Sequence, residues 1–314
     1  MEENKKGNII LNVKNNYIMK VIFGYIKKNK FLTIIKYNKK IQKIFEMDIE
    51  YYRNFAKIEI ELELINFKVI ENKNEWGYTK FINYIDEEKK QYYHIYFNND
   101  NKKELYKNSI HPDDNVKKIK IVIDYNIISL CGLFKGCKCI NKINFSKFYR
   151  KDITDLSFMF NECSYLEELD LSNIYTDNVE DMRAMFFRCF SLKKINISKF
   201  KTDNVKDMSN MFYECSSLTE LNLSNFNTKN VYYMSNMFSK CYLLENLNVS
   251  NFNTENVTYM PDMFSECCSL KDLNISSFNF NNVKLMSHMF ANCPDKLIEK
   301  IKKENKSIGN EAFK

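Results

Sequence analysis

Seven cysteines recur at an interval of 26 residues in the second half of this chain. They are Cys137, Cys163, Cys189, Cys215, Cys241, Cys267 and Cys293. A phenylalanine stands three residues before each cysteine, and a methionine precedes that phenylalanine in every repeat but the first, which has Leu133. A fixed period of this length is typical of repeat proteins, in which each repeat packs only against its neighbours. The sequence therefore predicts a stack of roughly six repeats.

Each repeat contains two different apolar spacings. Leu221-Asn-Leu-Ser224 alternates apolar and polar residues, which predicts a short strand with one buried face. A second group follows the spacing of one helical stripe: Val205, Met208, Met211, Phe212 and Cys215. Between the two lies a Phe-x-Thr-x-Asn segment, rich in side chains that bond their own backbone and start helices. We therefore expect an α/β fold, a right-handed solenoid with parallel strands on one face and short helices on the other.

The repeat resembles the BspA-like subtype of the leucine-rich repeat family. The shared pattern is Met-Phe-x-x-Cys-x-x-Leu-x-x-Leu-Asn-Leu-Ser-x-Phe-x-Thr-x-Asn-Val-x-x-Met-Ser, over roughly residues 130–293. The first repeat departs from it at Arg150 and Asp152, and the last has Phe280 in place of threonine. The resemblance implies a right-handed leucine-rich-repeat solenoid that binds other proteins.

The chain divides by pattern into four segments. We expect a helical segment over 1–57, a mixed β and loop region over 58–129, the solenoid over 130–298 and a polar C-terminal tail over 299–314. Alternating or continuous apolar residues predict strands at 58–64, 92–97 and 119–123. The region 58–129 is expected to pack on the first repeat and cover its open end, because a bare strand edge invites association.

Two helical patterns near the N-terminus resemble an F-box loosely. The matching positions, which would dock an adaptor, are Ile22, Phe23, Tyr25, Ile26, Leu32 and Ile35. Asn16-Tyr17 stands where F-boxes carry Leu-Pro, and the tryptophan late in their motif is missing. The resemblance implies docking to a Skp1-like adaptor and makes the chain a substrate receptor of a ubiquitin ligase. The alternative is a plain helical cap.

The cysteines predict neither disulfides nor a metal site. The seven periodic cysteines occupy one apolar position per repeat, which predicts a column of buried, reduced thiols. The close pairs Cys137-Lys-Cys139 and Cys267-Cys268 lack the C-x-x-C spacing of zinc sites. Cys131, Cys139 and Cys268 fall outside the column and are expected to be more exposed. We predict no cofactor and no metal.

Charge and hydropathy limit the possible partners and location. The net charge is +7, and residues 1–50 supply +6 of it from eleven lysines and five acidic residues. These lysines are scattered, which favours solvated helix faces over nucleic-acid binding. No segment has the ~18 apolar residues of a membrane span. Residues 1–10 lack the apolar core of a signal peptide, so we expect an intracellular, cytoplasmic protein.

The sequence shows no catalytic set, so we predict a non-enzymatic protein that binds a protein partner through the strand face. In each strand the outward residues flank an inward leucine or isoleucine. Those residues are Glu168, Asp170, Lys194, Asn196, Glu220, Asn222, Asn246, Asn248, Asp272 and Asn274. The asparagines have an alternative, structural interpretation, as bonds between neighbouring repeats.

Three tyrosines are candidates for an aromatic contact at the rim. Tyr232, Tyr233 and Tyr259 stand at variable positions of the repeat, where exposed aromatic side chains would form a contact patch. Two other functions remain open from the sequence: the ubiquitin-ligase receptor implied by the N-terminal resemblance, and a surface adhesin, as the BspA-like subtype suggests.

Overall fold

The computed structural model describes residues 38–44, 56–67, 77–84, 87–98, 100, 102–124 and 126–314. The chain divides into two compact units, Met1–Lys57 and Ile58–Lys314. The described part of the first unit is centred on helix α1 (Lys39–Ile44). The Asn38 side chain begins this helix by accepting a hydrogen bond of 3.1 Å from the Ile41 N–H.

The second unit is a mixed α/β structure, mostly sheet with few helices. Its described strands are β1 (Ile58–Leu64), β2 (Thr79–Lys80), β3 (Tyr93–Phe97), β4 (Ser109–Ile110), β5 (Lys118–Ile123), β6 (Ile140–Lys147), β7 (Glu168–Asp170), β8 (Lys194–Asn196), β9 (Glu220–Leu221) and β10 (Asn246–Leu247). Helix α2 spans Asp295–Glu304, and short 3₁₀ helices span Glu87–Tyr92, Pro112–Asp114 and Asn310–Phe313. The strands predicted at 58–64, 92–97 and 119–123 are confirmed within a residue at each end.

The region before the repeats continues the sheet that the repeats begin. The strand order is β3-β5-β1-β6-β7-β8, with β1 antiparallel to both β5 and β6, and with β6, β7 and β8 parallel. Strand β1 alternates buried Ile and Leu with exposed or half-buried Glu, so one face packs on the core and the other meets solvent. Strands β9 and β10 pair in parallel, and a bridge from Asn246 to Asp272 extends the series.

The prediction of a short helix in each repeat is wrong. Segment 205–215 consists mainly of turns, and its alternate N–H groups, from Met208 to Glu214, bond to the next repeat: Phe212 N donates to Met237 O at 2.9 Å. Asn210 and Glu214 both have φ 58°, which an α-helix of L-residues does not allow. Equivalent residues of the other repeats share this conformation, and the first repeat has Gly132 and Gly136 there. Apolar side chains three residues apart therefore face inward from a chain of turns.

The interior of the repeats is built from columns of identical side chains. The phenylalanine rings from Phe134 to Phe290 stack with centroids 5.3–5.9 Å apart. The seven periodic cysteines are free and buried, which confirms the predicted thiol column. From Cys163 onward, each thiol donates to a phenylalanine carbonyl of the preceding repeat at 3.1 Å. Burial raises the pKa of every thiol in the column, to about 12 for Cys189 and Cys241.

One prediction about the other cysteines is wrong. Cys268 is exposed and Cys131 half-buried, but Cys139 is fully buried and lies close to the Lys80 carbonyl, with Sγ 3.3 Å from that oxygen. Cys139 precedes β6, and it is covered by the segment around β2 that the repeat pattern did not include.

The threonines of the Phe-x-Thr-x-Asn segment join neighbouring repeats. Thr228 donates to Asn253 O at 2.8 Å and accepts from Asn253 N at 2.8 Å. Thr176, Thr202 and Thr254 make the same pair of bonds, and all four are buried. In the first repeat Arg150 replaces the threonine. It is buried and pairs with Asp152, whose two carboxylate oxygens lie 2.9 and 3.1 Å from the guanidinium.

The segment 299–314, predicted from the sequence as a polar tail, packs on the last repeat through a few apolar residues. Helix α2 buries Leu297 and Ile301, and the segment after it covers the last repeat. Phe290 N donates to Ala312 O at 2.7 Å, and the rings of Phe290 and Phe313 stack at 5.4 Å. The end of the chain thus supplies the backbone partners that a further repeat would have supplied. Its polar residues face outward around a small apolar contact, so composition alone does not reveal the packing.

Candidate partner-binding groove

A groove of about 1590 Å³ runs across the outer face of the sheet. All ten strand-face residues predicted from the sequence line it: Glu168, Asp170, Lys194, Asn196, Glu220, Asn222, Asn246, Asn248, Asp272 and Asn274. Strand alternation explains this placement, because the residues on either side of each inward leucine or isoleucine point to the opposite face. The groove continues onto β6, β1 and β5 through Lys142, Asn144, Glu61, Glu63, Lys118 and Lys120.

One row of groove residues alternates in charge across adjacent strands. The strand registers pair Lys118 with Glu63, Glu63 with Lys142, Lys142 with Glu168, and Glu168 with Lys194. Glu220, Asn246 and Asp272 hold the equivalent position in the next three repeats. We call this set the charge row. Opposite charges on neighbouring strands contribute roughly 0.2–1 kcal/mol per pair, so the row stabilises the strand register modestly.

A second row, two residues further along each strand, carries mostly amides. It consists of Lys120, Glu61, Asn144, Asp170, Asn196, Asn222, Asn248 and Asn274, and we call it the amide row. Asn196, Asn222, Asn248 and Asn274 each accept a hydrogen bond through Oδ1 from the serine N–H two residues on, at 3.0–3.2 Å. These bonds lie within one repeat, not between repeats as the structural interpretation of the asparagines had it. They fix the orientation of each amide.

Lysines pair with carboxylates at both ends of the groove. At one end, Lys300 lies with its Nζ 2.6 Å from Asp272, and this hydrogen bond lowers the pKa of the Asp272 carboxyl. At the other end, Lys120 of the groove pairs at 3.0 Å with Glu59 of β1, which lies just outside it. Burial raises the pKa of its carboxyl, but Lys120 and Lys147 outweigh burial and the pKa is lowered. Both carboxylates therefore stay charged at neutral pH.

The three predicted tyrosines lie outside the groove. Tyr233 and Tyr259 occupy a separate line of parallel bridges that continues to Leu285, and their rings stack at 5.6 Å. Tyr232 is exposed next to Tyr233 in the chain. Tyr233 and Tyr259 thus contact each other, and none of the three tyrosines lines the groove.

The six predicted adaptor-docking residues, Ile22, Phe23, Tyr25, Ile26, Leu32 and Ile35, lie outside the described residues. In the described ranges, no group of His, Cys, Asp or Glu side chains is arranged to hold a metal ion. None of the helices in these ranges has the length and apolar run that a bilayer crossing requires.

Comparison with known proteins places the repeats in a family. The family described as "Mycoplasma protein of unknown function, DUF285" matches residues 128–242 and 217–307, which together make up more than half of the chain. The chain belongs to the DUF285 family. Neither the curated proteins nor the solved structures contain a match to it.

The DUF285 match covers part of the groove. It includes the strand-face residues from Lys142 to Asn274, whereas the residues contributed by β1 and β5 precede it. Sequence reasoning missed Lys142 and Asn144 of the first repeat as groove residues, and also Glu61, Glu63, Lys118 and Lys120. The alternation of Ile and Glu in β1 showed that one face was charged, but nothing in it indicated pairing with β6, more than 75 residues later.

Proposed function

We propose that this DUF285 protein is a right-handed solenoid of the BspA-like leucine-rich-repeat type, and that it is a non-enzymatic scaffold which binds a protein partner in the groove. The observation that carries the proposal is the groove itself: one continuous polar face assembled from eight consecutive strand positions. Repeat proteins commonly bind along such extended faces.

Contacts between repeats support the solenoid. Equivalent residues of successive repeats bond to each other along two separate lines: the strands, paired over 142–196 and again over 220–272, and the bridges at 129–285. The Phe, Cys and Thr columns add three further sets of contacts between successive repeats. A chain that returns to the same side of a sheet after each parallel strand turns right-handed in nearly all proteins.

The chemistry of the groove supports a protein partner. Its side chains are carboxylates, ammonium groups and amides that project from the strand backbone, while the leucine and isoleucine side chains of the same strands pack into the core. Such a surface can bond to both the backbone and the polar side chains of a polypeptide. Positive and negative charges alternate, so the groove does not present the single-sign field that favours nucleic acid.

A photo-cross-linking experiment tests the proposal. Benzoylphenylalanine is placed in the full chain at Asn246, inside the groove, or at Glu255, equally exposed on the turn side of the same repeat. Neither side chain makes a hydrogen bond within the described residues, so both replacements should leave the fold intact.

We expect irradiation in native cell extract to give discrete adducts from position 246 and few from position 255. An excess of wild-type chain without the cross-linker should bind the partner and reduce the amount of adduct, whereas an excess of the Asn246→Arg variant should not. Equal labelling from both positions, or none from position 246, would show that the groove is not the binding face.

A further inference from the structure

Two members of the charge row have no ionic partner among the described residues. Glu63 lies 3.4 Å from Lys118, and Glu168 lies 3.6 Å from Lys194. These pairs leave Lys142, between Glu63 and Glu168, without an ion pair in the described part of the chain. Glu220, beyond Lys194, likewise has none in that part of the chain. One free positive and one free negative charge therefore stand exposed in the same row.

The distance between these charges selects the conformation of a ligand. Lys142 and Glu220 are three repeat steps apart. Strands β6, β7 and β8 are paired, and the step from β8 to β9, which lie in separate sheets, is bridged on the turn side by Asp207 and Tyr233. Three steps at the usual spacing of neighbouring strands make about 14 Å. In an extended chain, residues four positions apart are separated by about 13 Å and have their side chains on the same face. Nine residues of α-helix span about 13.5 Å, but they place the two side chains on opposite faces.

The amide row supplies matching donors for a backbone. The oxygens of Asn196, Asn222 and Asn248 are held by serine N–H groups of their own repeats. Their NH₂ groups make no hydrogen bond within the described residues, and each can donate to a carbonyl. An extended peptide exposes carbonyls along its whole length, whereas a helix uses most of its carbonyls internally.

We propose that the groove binds an extended peptide segment that carries one acidic and one basic residue four positions apart. The acid lies over Lys142, the base lies over Glu220, and Asn196 and Asn222 of the amide row donate to the backbone between them. This inference rests on the proposed function, and it specifies the ligand of the same groove. It does not fix the direction of the peptide, since either order of acid and base satisfies the two charges.

Selection from a library of displayed random decapeptides tests this rule. The baits are the full-length wild type, Lys142→Glu and Glu220→Lys, with Lys229→Glu as a matched control on the exposed turn side. Wild type and control should enrich peptides with one acid and one base four positions apart, in either order. Lys142→Glu should instead enrich two bases at this spacing, and Glu220→Lys two acids. We expect about two- to fivefold enrichment for each matched charge.

Other outcomes of the selection separate a failure of the peptide rule from a failure of the groove as a binding face. If all four baits enrich the same charge pattern, or no peptide is enriched, the inference is wrong. If peptides without this charge spacing are enriched and Asn246→Arg abolishes their capture, the inference fails while the groove remains a binding face. If Asn246→Arg captures enriched peptides as well as wild type does, the proposed function fails too.

Discussion

At the scale of the residue, the repeats are held together by side chains that complete the backbone of a neighbouring repeat. Each buried threonine of the Phe-x-Thr-x-Asn segment both donates to and accepts from the repeat that follows. A backbone N–H and C=O that would otherwise be buried without partners are thereby satisfied, and leaving such groups unpaired costs more than a new hydrogen bond contributes.

Replacing Thr228 with valine should therefore destabilise the fold although the side-chain volume barely changes. The substitution leaves Asn253 N and Asn253 O without their bonds to Thr228. We expect the free energy of unfolding in urea to fall by about 2–3 kcal/mol. The matched control is Thr219→Val, because Thr219 is exposed, and it should change the value by less than about 0.5 kcal/mol. Equal effects of the two substitutions would contradict this role of the threonine column.

The sequence shows where these threonines stand but not which groups they bond. The turns of segment 205–215 were missed for the same reason, because their partners lie in another repeat. Spacings of three and four residues suit one stripe of a helix, and they equally suit a chain of turns that faces inward every third residue. What separates the two is the partner of each N–H: here alternate N–H groups bond to a carbonyl 25 residues further along the chain, and most of those between them bond to a carbonyl three residues back. The residues at positive φ, such as Arg188 (φ 57°) and Lys240 (φ 62°), gave no signal, because only the first repeat has glycine there.

At the scale of the element, the cysteine column should make the free energy of unfolding fall at alkaline pH. The native pKa of each thiol lies above the ordinary value of 9, because burial disfavours the thiolate. Above pH 9 the unfolded chain loses thiol protons that the native protein retains. The unfolded state then binds fewer protons, so the free energy of unfolding falls as the pH rises from 9 towards the native pKa of about 12.

Each buried thiol should lower the free energy of unfolding by about 1.4 kcal/mol per pH unit above pH 9. The double variant Cys189→Ala and Cys241→Ala should reduce this slope by about 3 kcal/mol per pH unit while starting from lower stability at pH 7. Urea titrations at pH 7, 8, 9 and 10 measure the slope. Met237→Leu, a core change without a titrating group, should leave it as in the wild type. An identical slope in the double variant would mean that the thiols ionise in the native state.

The groove shows how far element-scale prediction from sequence can reach. The alternation in each strand placed ten residues on one face, and all ten line the groove. The charge row could not be read this way, since its first three members come from β5, β1 and β6. Their order in space, Lys118-Glu63-Lys142, differs from their order in the chain, and only strand pairing reveals it.

At the scale of the whole molecule, the fold depends on how its ends are closed. A repeat stack leaves unpaired N–H groups and apolar rings at each end, and these invite association with other chains. Strand β1 covers one end by pairing with β6. The other end is covered by Asn310–Phe313: His288 N donates to Glu311 O at 2.7 Å, and Phe313 extends the column of stacked rings.

Deleting residues 310–314 should therefore weaken a region far larger than five residues. The deletion removes the ring stacked on Phe290 and the acceptors of two N–H groups. We expect a loss of about 3 kcal/mol and a melting temperature lower by about 6–12 °C. Sedimentation velocity should also show association that increases with concentration, because the exposed ring and N–H groups can pair with another molecule. The control is deletion of Lys314 alone, an exposed residue, which should change neither measurement. If the shortened chain has the melting temperature of the wild type, and its sedimentation coefficient does not rise with concentration, residues 310–314 are not needed to cover the last repeat.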